Sequence, residues 1–197
     1  AVFTVHGAVA IAAASAGVTY ADPLCEGRDG YSVAWNMWYE QGVALFKSAS
    51  NDGHTSTADC LVSSPGSAIG VFAVAASTVD GSAAGDPEIL DPDSARGGTS
   101  TEGRGRTIIG LAGPTRMSFP YPHYAWPVDC SGVECRYGPD WNGVGCDGDD
   151  FSETSAATPA VAGSAELFRD WYTTEKSALM NEPGILYTNM LLMGDRA

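Results

Sequence analysis

The sequence has 197 residues, a length that suits a single domain with a buried core. Only 17% of the residues are charged and 44% are apolar, so we expect a folded chain. The net charge of −14 argues against a nucleic-acid partner, because phosphate binding requires a basic surface. No apolar run in the sequence reaches the roughly 18 residues that a membrane span needs. We therefore expect neither nucleic acid nor a membrane as a partner.

The chain opens with an apolar run, "AVFTVHG", which predicts a short buried strand. It lacks the basic leader of a signal peptide, and we expect the chain to begin inside the fold. A connection rich in glycine and alanine follows to about Gly30. The segment "YSVAWNMWYEQGV" then has helical spacing, since Val33, Met37 and Trp38 share a face, and Gly42 ends the predicted helix.

Three further apolar runs, "VALFKSAS", "AIGVFAVAAST" and "RTIIGLAGP", predict buried strands. Nearly continuous apolar strands separated by helices or long connections indicate a parallel sheet that is covered on both faces. We therefore predict an α/β fold, with a sheet flanked by helices, in one domain spanning residues 1–197. Two polar, turn-rich segments, at about residues 80–95 and 117–150, are predicted to be insertions.

Five cysteines, at positions 25, 60, 130, 135 and 146, form no CxxC pair. Disulfide bonds in an oxidising compartment are therefore favoured over zinc, and we expect a secreted or extracellular protein. The pairing of the cysteines stays open, and the odd number leaves one thiol without an assignment.

The segment "FSETSAATPAVAGSAELFRDWY", at residues 151–172, predicts an amphipathic helix that begins near Ser155, with Pro159 in its first turn. A hydroxyl at the start of a helix lies beside free backbone N–H groups, which can stabilise a developing negative charge. A serine at this position is commonly only an N-cap, so the position alone does not indicate catalysis.

The longer run "TSAATPAVAG" resembles the serine motif of subtilisin-like proteases, Thr-Ser-x-Ala-x-Pro-x-Val-Ala-Gly. The matching positions are Thr154, Ser155, Ala157, Pro159, Val161, Ala162 and Gly163. The resemblance implies that Ser155 is the nucleophile of a peptide-hydrolysing enzyme. One departure from the family pattern is Glu153, which stands where the family usually has glycine.

A second segment, "ALFKSASNDGH", resembles the strand of the same family that ends in Ala-Gly-Asn-x-Gly. The resemblance implies that Asn51 donates its side-chain amide to the oxyanion, with Ser50 in place of the usual glycine. An asparagine at the carboxyl end of a central strand lies where α/β enzymes bind their ligands. The positions that the resemblance implies at the substrate cleft are His6, Ser48, Ala49, Ser50, Ser63 and Thr154.

The histidine and aspartate of a catalytic triad are missing from the expected region. In this family both precede the oxyanion asparagine, but only 45 residues separate His6 from Asn51, and no aspartate precedes His6. His6 is therefore predicted to line the cleft, whereas His54 and His123 are predicted on the surface. The resemblance thus implies the second half of a subtilisin-like catalytic domain, with an incomplete three-layer fold. Its expected partners are a peptide or protein substrate and an N-terminal fragment that carries the missing residues.

A calcium site and the function itself both stay open at this point. The acidic segments "DPEILDPD" and "DGDD" could ligate a structural calcium ion, although solvated loops are favoured and no cofactor is required. The leading hypothesis is a secreted serine endopeptidase. An inactive subtilisin-like domain that binds peptides or scaffolds an assembly is the alternative, and a different α/β hydrolase is disfavoured because the sequence has no G-x-S-x-G motif.

Overall fold

The computed structural model describes residues 2–6, 9–14, 25–53, 61–79, 88–97, 108–115, 153–176 and 182–194. Within these residues a six-stranded sheet is flanked by three helices. The strands are β1 (Val2–His6), β2 (Val9–Ala14), β3 (Val43–Ser48), β4 (Val71–Val79), β5 (Glu88–Leu90) and β6 (Ile109–Pro114). The helices are α1 (Gly30–Glu40), α2 (Glu153–Lys176) and α3 (Pro183–Met193).

The sheet is mixed, with a parallel centre. Strands β2, β3, β4 and β6 run parallel, while β1 pairs antiparallel with β2 and β5 pairs antiparallel with β4. The prediction of a buried parallel sheet is confirmed at the centre. Strand β2 was expected to be part of a connection, and β5 lies inside the segment predicted as an insertion.

Helices cover both faces of the sheet, as the near-continuous apolar strands require. Alternate residues of β3 and β4, such as Phe46 and Val74, pack against α2 and α3, together with Ala157, Val161 and Leu186. The residues between them face the other side, where Leu45 and Val71 pack with Trp35 and Tyr39. The fold is therefore the predicted three-layer arrangement, with β3 and β4 buried on both sides.

Helix α1 begins where predicted but buries a different face. The carboxylate of Asp29 accepts hydrogen bonds from the backbone N–H groups of Tyr31 and Ser32 and caps the helix. The face predicted from Val33, Met37 and Trp38 is 48, 61 and 50% exposed. The side chains that pack on the sheet instead lie on the adjacent stripe, with Ser32 fully buried.

Tyr187 of α3 fastens this helix to the backbone of the central strands. Its hydroxyl oxygen accepts a hydrogen bond of 2.6 Å from the N–H of Leu45 and lies 3.2 Å from the carbonyl oxygen of Gly70. Its ring contacts both Phe46 and Phe72. Burial raises the pKa of the Tyr187 hydroxyl well above its usual value, so the group acts as a neutral donor and acceptor.

Lys47 is a buried cation in the middle of this apolar structure. Its side chain is 2% exposed, and its Nζ donates hydrogen bonds to the hydroxyl and carbonyl oxygens of Ser48, at 2.6 and 3.2 Å. No carboxylate of the described residues forms an ion pair with it. Burial therefore lowers the pKa of Lys47 to about 8.

This pKa predicts that the chain becomes more stable as the pH rises from about 8 towards 10.5, the ordinary pKa of lysine. In that window the unfolded chain binds a proton that the folded chain does not, so the free energy of unfolding rises by about 3 kcal/mol in total. We expect Lys47→Met to remove this rise and to stabilise the protein at pH 7. Urea denaturation between pH 7 and 10.5 measures both effects.

Lys176→Met is the matched control, because Lys176 is exposed at the end of α2. In this variant the free energy of unfolding should rise with pH as steeply as in the unchanged chain. An equal slope in the Lys47→Met variant would show that the buried amine is not the group responsible.

Candidate active site

The turn after β3 places Asn51 at the carboxyl end of the parallel sheet. The N–H of Ala49 donates to the carbonyl oxygen of Val74 at 2.9 Å, which extends the pairing with β4 beyond the last strand residue. The N–H of Gly53 donates to the carbonyl oxygen of Asp93 at 2.8 Å. The backbone on both sides of Asn51 is thus fixed by neighbouring segments, and its side chain has a defined position.

Two residues of this turn have restricted backbones, one because its neighbours lie close and one because its φ is positive. A Cβ added at Gly53 would lie 2.2 Å from the carbonyl oxygen of Ser94, so only glycine fits there. Ser50 adopts a φ of 109°, in the left-handed region that glycine prefers. Its hydroxyl donates to a carboxylate oxygen of Asp52 at 2.6 Å, which helps to hold the strained backbone.

The side chain of Asn51 joins the end of β3 to the start of α2. Its Oδ1 accepts hydrogen bonds from the hydroxyl and from the backbone N–H of Thr154, the latter at 3.3 Å. Its Nδ2 donates to the carboxylate of Glu153. Asn51 therefore satisfies an N–H of the first turn of the helix, which has no partner within the helix itself.

Glu153 is the first residue of α2 and is held in an unusual conformation. Its φ is 61°, which costs a residue with a side chain about 1–2 kcal/mol relative to the right-handed region. Two favourable effects oppose this cost. A carboxylate at a helix N-terminus gains about 0.3–1 kcal/mol, and a hydrogen bond to a charged group contributes about 1.5–3 kcal/mol. The contact with Asn51 is therefore strong enough to maintain the strained backbone.

Ser155 is the third residue of α2, immediately after the two residues that Asn51 contacts. It is half-buried, and its hydroxyl makes no hydrogen bond to any of the described residues. The structure thus brings the segment of Asn51 and the segment of Ser155 together. A negatively charged oxygen beside the hydroxyl would be stabilised by the positive end of the helix dipole.

The rest of the serine motif behaves partly as expected. Pro159 does not lie in the first turn, because the helix already begins at Glu153, and Pro159 is its seventh residue. That prediction is wrong, and the carbonyl of Ser155 consequently lacks the N–H donor that residue 159 would ordinarily supply. Ala156, Ala157 and Ala162 are buried, as small residues in close helix packing should be, whereas Ala160 is half-buried and Gly163 is exposed.

The close packing of α2 is clearest against β6. A Cβ added at Gly113 would lie 2.7 Å from the Cγ2 of Val161 and 2.9 Å from the carbonyl oxygen of Ala157. Helix and strand therefore touch through their backbones at this point. This contact and the side chain of Asn51 together fix where the first turn of α2 lies over the sheet.

The residues predicted at the substrate cleft are mostly buried beneath this site. The exposed fractions of Ser48, Ala49, Ser50, Ser63 and Thr154 are 2, 0, 9, 7 and 1%. Their roles towards a substrate stay predictions. Ser63 is distinctive among them, because its hydroxyl is buried and has no hydrogen-bond partner among the described residues, while its N–H donates to the carbonyl oxygen of Ala49 at 3.2 Å.

His6 lies far from the other predicted site residues. In the antiparallel pairing of β1 with β2 its partner is Val9, next to the position where Ala10 pairs with Val43. This is the end of the sheet where β3 begins, whereas Asn51 follows the end where β3 finishes. The prediction that His6 lines the cleft is therefore wrong, because β1 ends at the end of the sheet opposite to that of Asn51.

Several sequence predictions fall outside the described residues. These are the surface positions of His54 and His123, the segment at residues 117–150, and the cysteines at 60, 130, 135 and 146. Across the described parts of the chain, no group of three His, Cys, Asp or Glu side chains is placed to hold a metal ion. In the same parts, no helix combines the length and apolarity needed to cross a bilayer.

No protein-family profile and no curated protein matches the chain. Three solved structures of subtilisin-like proteases are similar to it in fold. Sphericase is 22% identical, with a TM-score of 0.54, over 91% of this chain and 46% of its own. The S41 psychrophilic protease is 17% identical, with a TM-score of 0.53, over 90% and 47%. The prenylagaramide maturation protease PagA is 19% identical, with a TM-score of 0.56, over 95% and 52%.

The chain therefore has the fold of the subtilisin-like proteases and spans about half the length of these three structures. The predicted fold class is confirmed. The contact between Glu153 and Asn51 was not predicted from the sequence. The only signal was the departure of Glu153 from glycine before the Thr-Ser pair, and sequence alone did not show that its carboxylate would contact Asn51.

The position of Asn51 predicts a structural role that does not depend on catalysis. Asn51→Ala removes hydrogen bonds to both Glu153 and Thr154, so we expect the free energy of unfolding to fall by about 2–3 kcal/mol. Asn189→Ala is the control, because the one side-chain hydrogen bond that Asn189 makes within the described residues is to a carbonyl one turn earlier in α3. Its cost should stay below about 1 kcal/mol in urea denaturation. Equal losses in the two variants would contradict a linking role for Asn51.

Proposed function

We propose that this chain is part of a secreted serine endopeptidase that hydrolyses peptide bonds. Ser155 is its nucleophile, and Asn51 donates to the oxyanion. The observation that carries the proposal is the contact of Asn51 with the first turn of α2, directly before Ser155, in a chain with a subtilisin-like fold. The proposed substrate is a peptide or protein, and the proposed chemistry uses no cofactor.

The proposed reaction is the one that the resemblance to subtilisin-like proteases implies. The Oγ of Ser155 bonds to the carbonyl carbon while a histidine accepts the hydroxyl proton, and the carbonyl electrons move onto oxygen. The Nδ2 of Asn51 and the N–H of Ser155 donate to this oxyanion. The C–N bond then breaks, and the amine leaves with the proton from the histidine. Water cleaves the resulting ester by the same route and restores the serine.

The histidine and the aspartate that orients it are proposed to come from outside this chain. His6 cannot serve, since its strand ends at the edge of the sheet opposite Asn51. An N-terminal segment or separate fragment carrying both residues is the proposed partner. We call the complete polypeptide or complex that includes it the parent protein.

A secreted location is proposed from the chemistry of the cysteines. Cys25 is buried, with 1% of its surface exposed, and we propose that it forms a disulfide bond. Disulfide bonds form and persist in oxidising compartments, which supports an extracellular protein. A structural calcium ion at the acidic segments stays a separate proposal, which metal binding by the parent protein would test.

A second candidate function is favoured by one specific contact. The carboxylate of Glu153 already accepts from the amide of Asn51 that the oxyanion would need. A permanently occupied donor would leave a domain that binds peptides or scaffolds an assembly without cleaving them. Reactivity of Ser155 separates this candidate from the enzyme.

A fluorophosphonate probe tests the enzyme hypothesis in the parent protein. The Oγ of Ser155 forms a bond to phosphorus, fluoride leaves, and the hydroxyl proton passes to the histidine. We expect labelling of Ser155 and its loss in Ser155→Ala, because the other residues of α2 lack an activating base. Mass spectrometry of the labelled peptide identifies the site.

Ser164→Ala is the matched control on the same helix, where the hydroxyl bonds to the carbonyl oxygen of Ala160 and is exposed. It should label like the parent protein. An unlabelled but folded parent protein, also when Glu153 is replaced by glycine, would favour the peptide-binding domain.

The hydroxyl of Ser63 is buried and has no partner in the described parts of the chain, which supports a role at the base of the pocket for the residue before the cleaved bond. We expect Ser63→Asp to shift cleavage towards lysine and arginine at that position, because a carboxylate in a buried pocket favours a cation. The ratio of kcat/KM for matched lysine and phenylalanine peptides measures the shift, with an expected change of about tenfold or more. An unchanged ratio in a folded, active variant would place Ser63 away from the pocket.

A further inference from the structure

We propose that Glu153 is a latch on the oxyanion hole: its carboxylate holds the side-chain amide of Asn51 in the ligand-free protein and must be displaced when a substrate carbonyl binds. The inference rests on the proposed function and concerns the regulation of the same site. It assigns Glu153 as a positioning residue, since it acts through Asn51.

The contact itself has the chemistry of an oxyanion complex. Nδ2 of Asn51 donates to Oε2 of Glu153, a charged oxygen, at the N-terminus of α2. A negatively charged oxygen that accepts from this amide and lies near a helix N-terminus is also the group that forms during peptide hydrolysis. Glu153 therefore supplies, from within the chain, an anion of the kind the site is proposed to stabilise.

The two hydrogen-bonding atoms of Asn51 have different roles in this arrangement. Its Oδ1 accepts from the hydroxyl and N–H of Thr154, and these bonds fix the orientation of the amide plane. With that orientation fixed, Nδ2 donates to the carboxylate of Glu153, two residues before Ser155 in the chain. Displacing the carboxylate frees Nδ2 while the bonds to Thr154 stay in place.

The backbone of Glu153 indicates that the contact is maintained rather than incidental. Its φ of 61° is a backbone conformation that residues other than glycine, asparagine and aspartate rarely adopt. A strained residue at a ligand site persists only when its surroundings hold it there. Glu153 is also half-buried, so movement of its side chain outward to solvent is open to it.

The test compares the rate at which a fluorophosphonate probe labels Ser155 in the parent protein and its variants, because the P=O oxygen of the probe needs the same donor as a substrate carbonyl. We expect Glu153→Gly to raise the second-order labelling rate by about tenfold or more, since an oxyanion donor contributes about 100- to 1000-fold. Glu153→Gln keeps the length and the strained backbone but removes the charge, and it should give a smaller increase. Glu175→Gln, an exposed change of equal charge on α2, should have no effect.

A double-mutant cycle with Asn51→Ala separates a latch from a structural effect. Without the amide there is nothing to release, so Glu153→Gly should change the labelling rate by less than about twofold in that background. An increase that persists without Asn51 overturns the latch, as does an unchanged rate in all Glu153 variants; in both cases Ser155 remains the nucleophile. Absence of labelling at Ser155 in every variant overturns the proposed function and the latch with it.

Discussion

The arrangement of this molecule depends on one side chain, that of Asn51. Strand β3 ends in the centre of the sheet, and helix α2 begins about 100 residues later in the chain; the amide of Asn51 bonds the two together through Glu153 and Thr154. Packing between Gly113 and the middle of α2 fixes the distance of the helix from the sheet. The amide fixes where its first turn lies, and hence where Ser155 is presented.

Much of the fold could be predicted because its central strands carry a strong signal. Strands β3 and β4 begin with unbroken apolar runs, VALF and VFAVAA, and the structure buries both of their faces. Strand β2 was missed for a physical reason. Its sequence, "VAIAAA", is rich in alanine, which has little intrinsic preference for a strand, and it becomes a strand here through its pairing with β1 and β3. The position of His6 was wrong for the same reason. Because β2 was not recognised, the sequence did not show that β1 runs antiparallel to it and ends where β3 begins.

The candidate site divides along the same line. Asn51 and Ser155 stand in short motifs that resemble those of subtilisin-like proteases, so their approach could be expected from that resemblance. The contact of Glu153 depends on the rotation of one side chain about a strained backbone, and no periodicity or composition encodes it. Lys47 is similar: its position in an apolar strand was visible, but the absence of a carboxylate partner among the described residues was not. Sequence thus indicated the chemistry, while the electrostatic detail required coordinates.

The left-handed backbone of Ser50 and Glu153, on either side of the site, has a consequence for recognition. Glycine would reach this conformation freely and leave it as easily, whereas serine and glutamate are separated from their other allowed conformations by steric barriers. Both walls of the site are consequently stiff at the level of the main chain. Under the proposed function, a peptide that enters must conform to these walls, so backbone shape is selected before any side chain of the peptide is sensed.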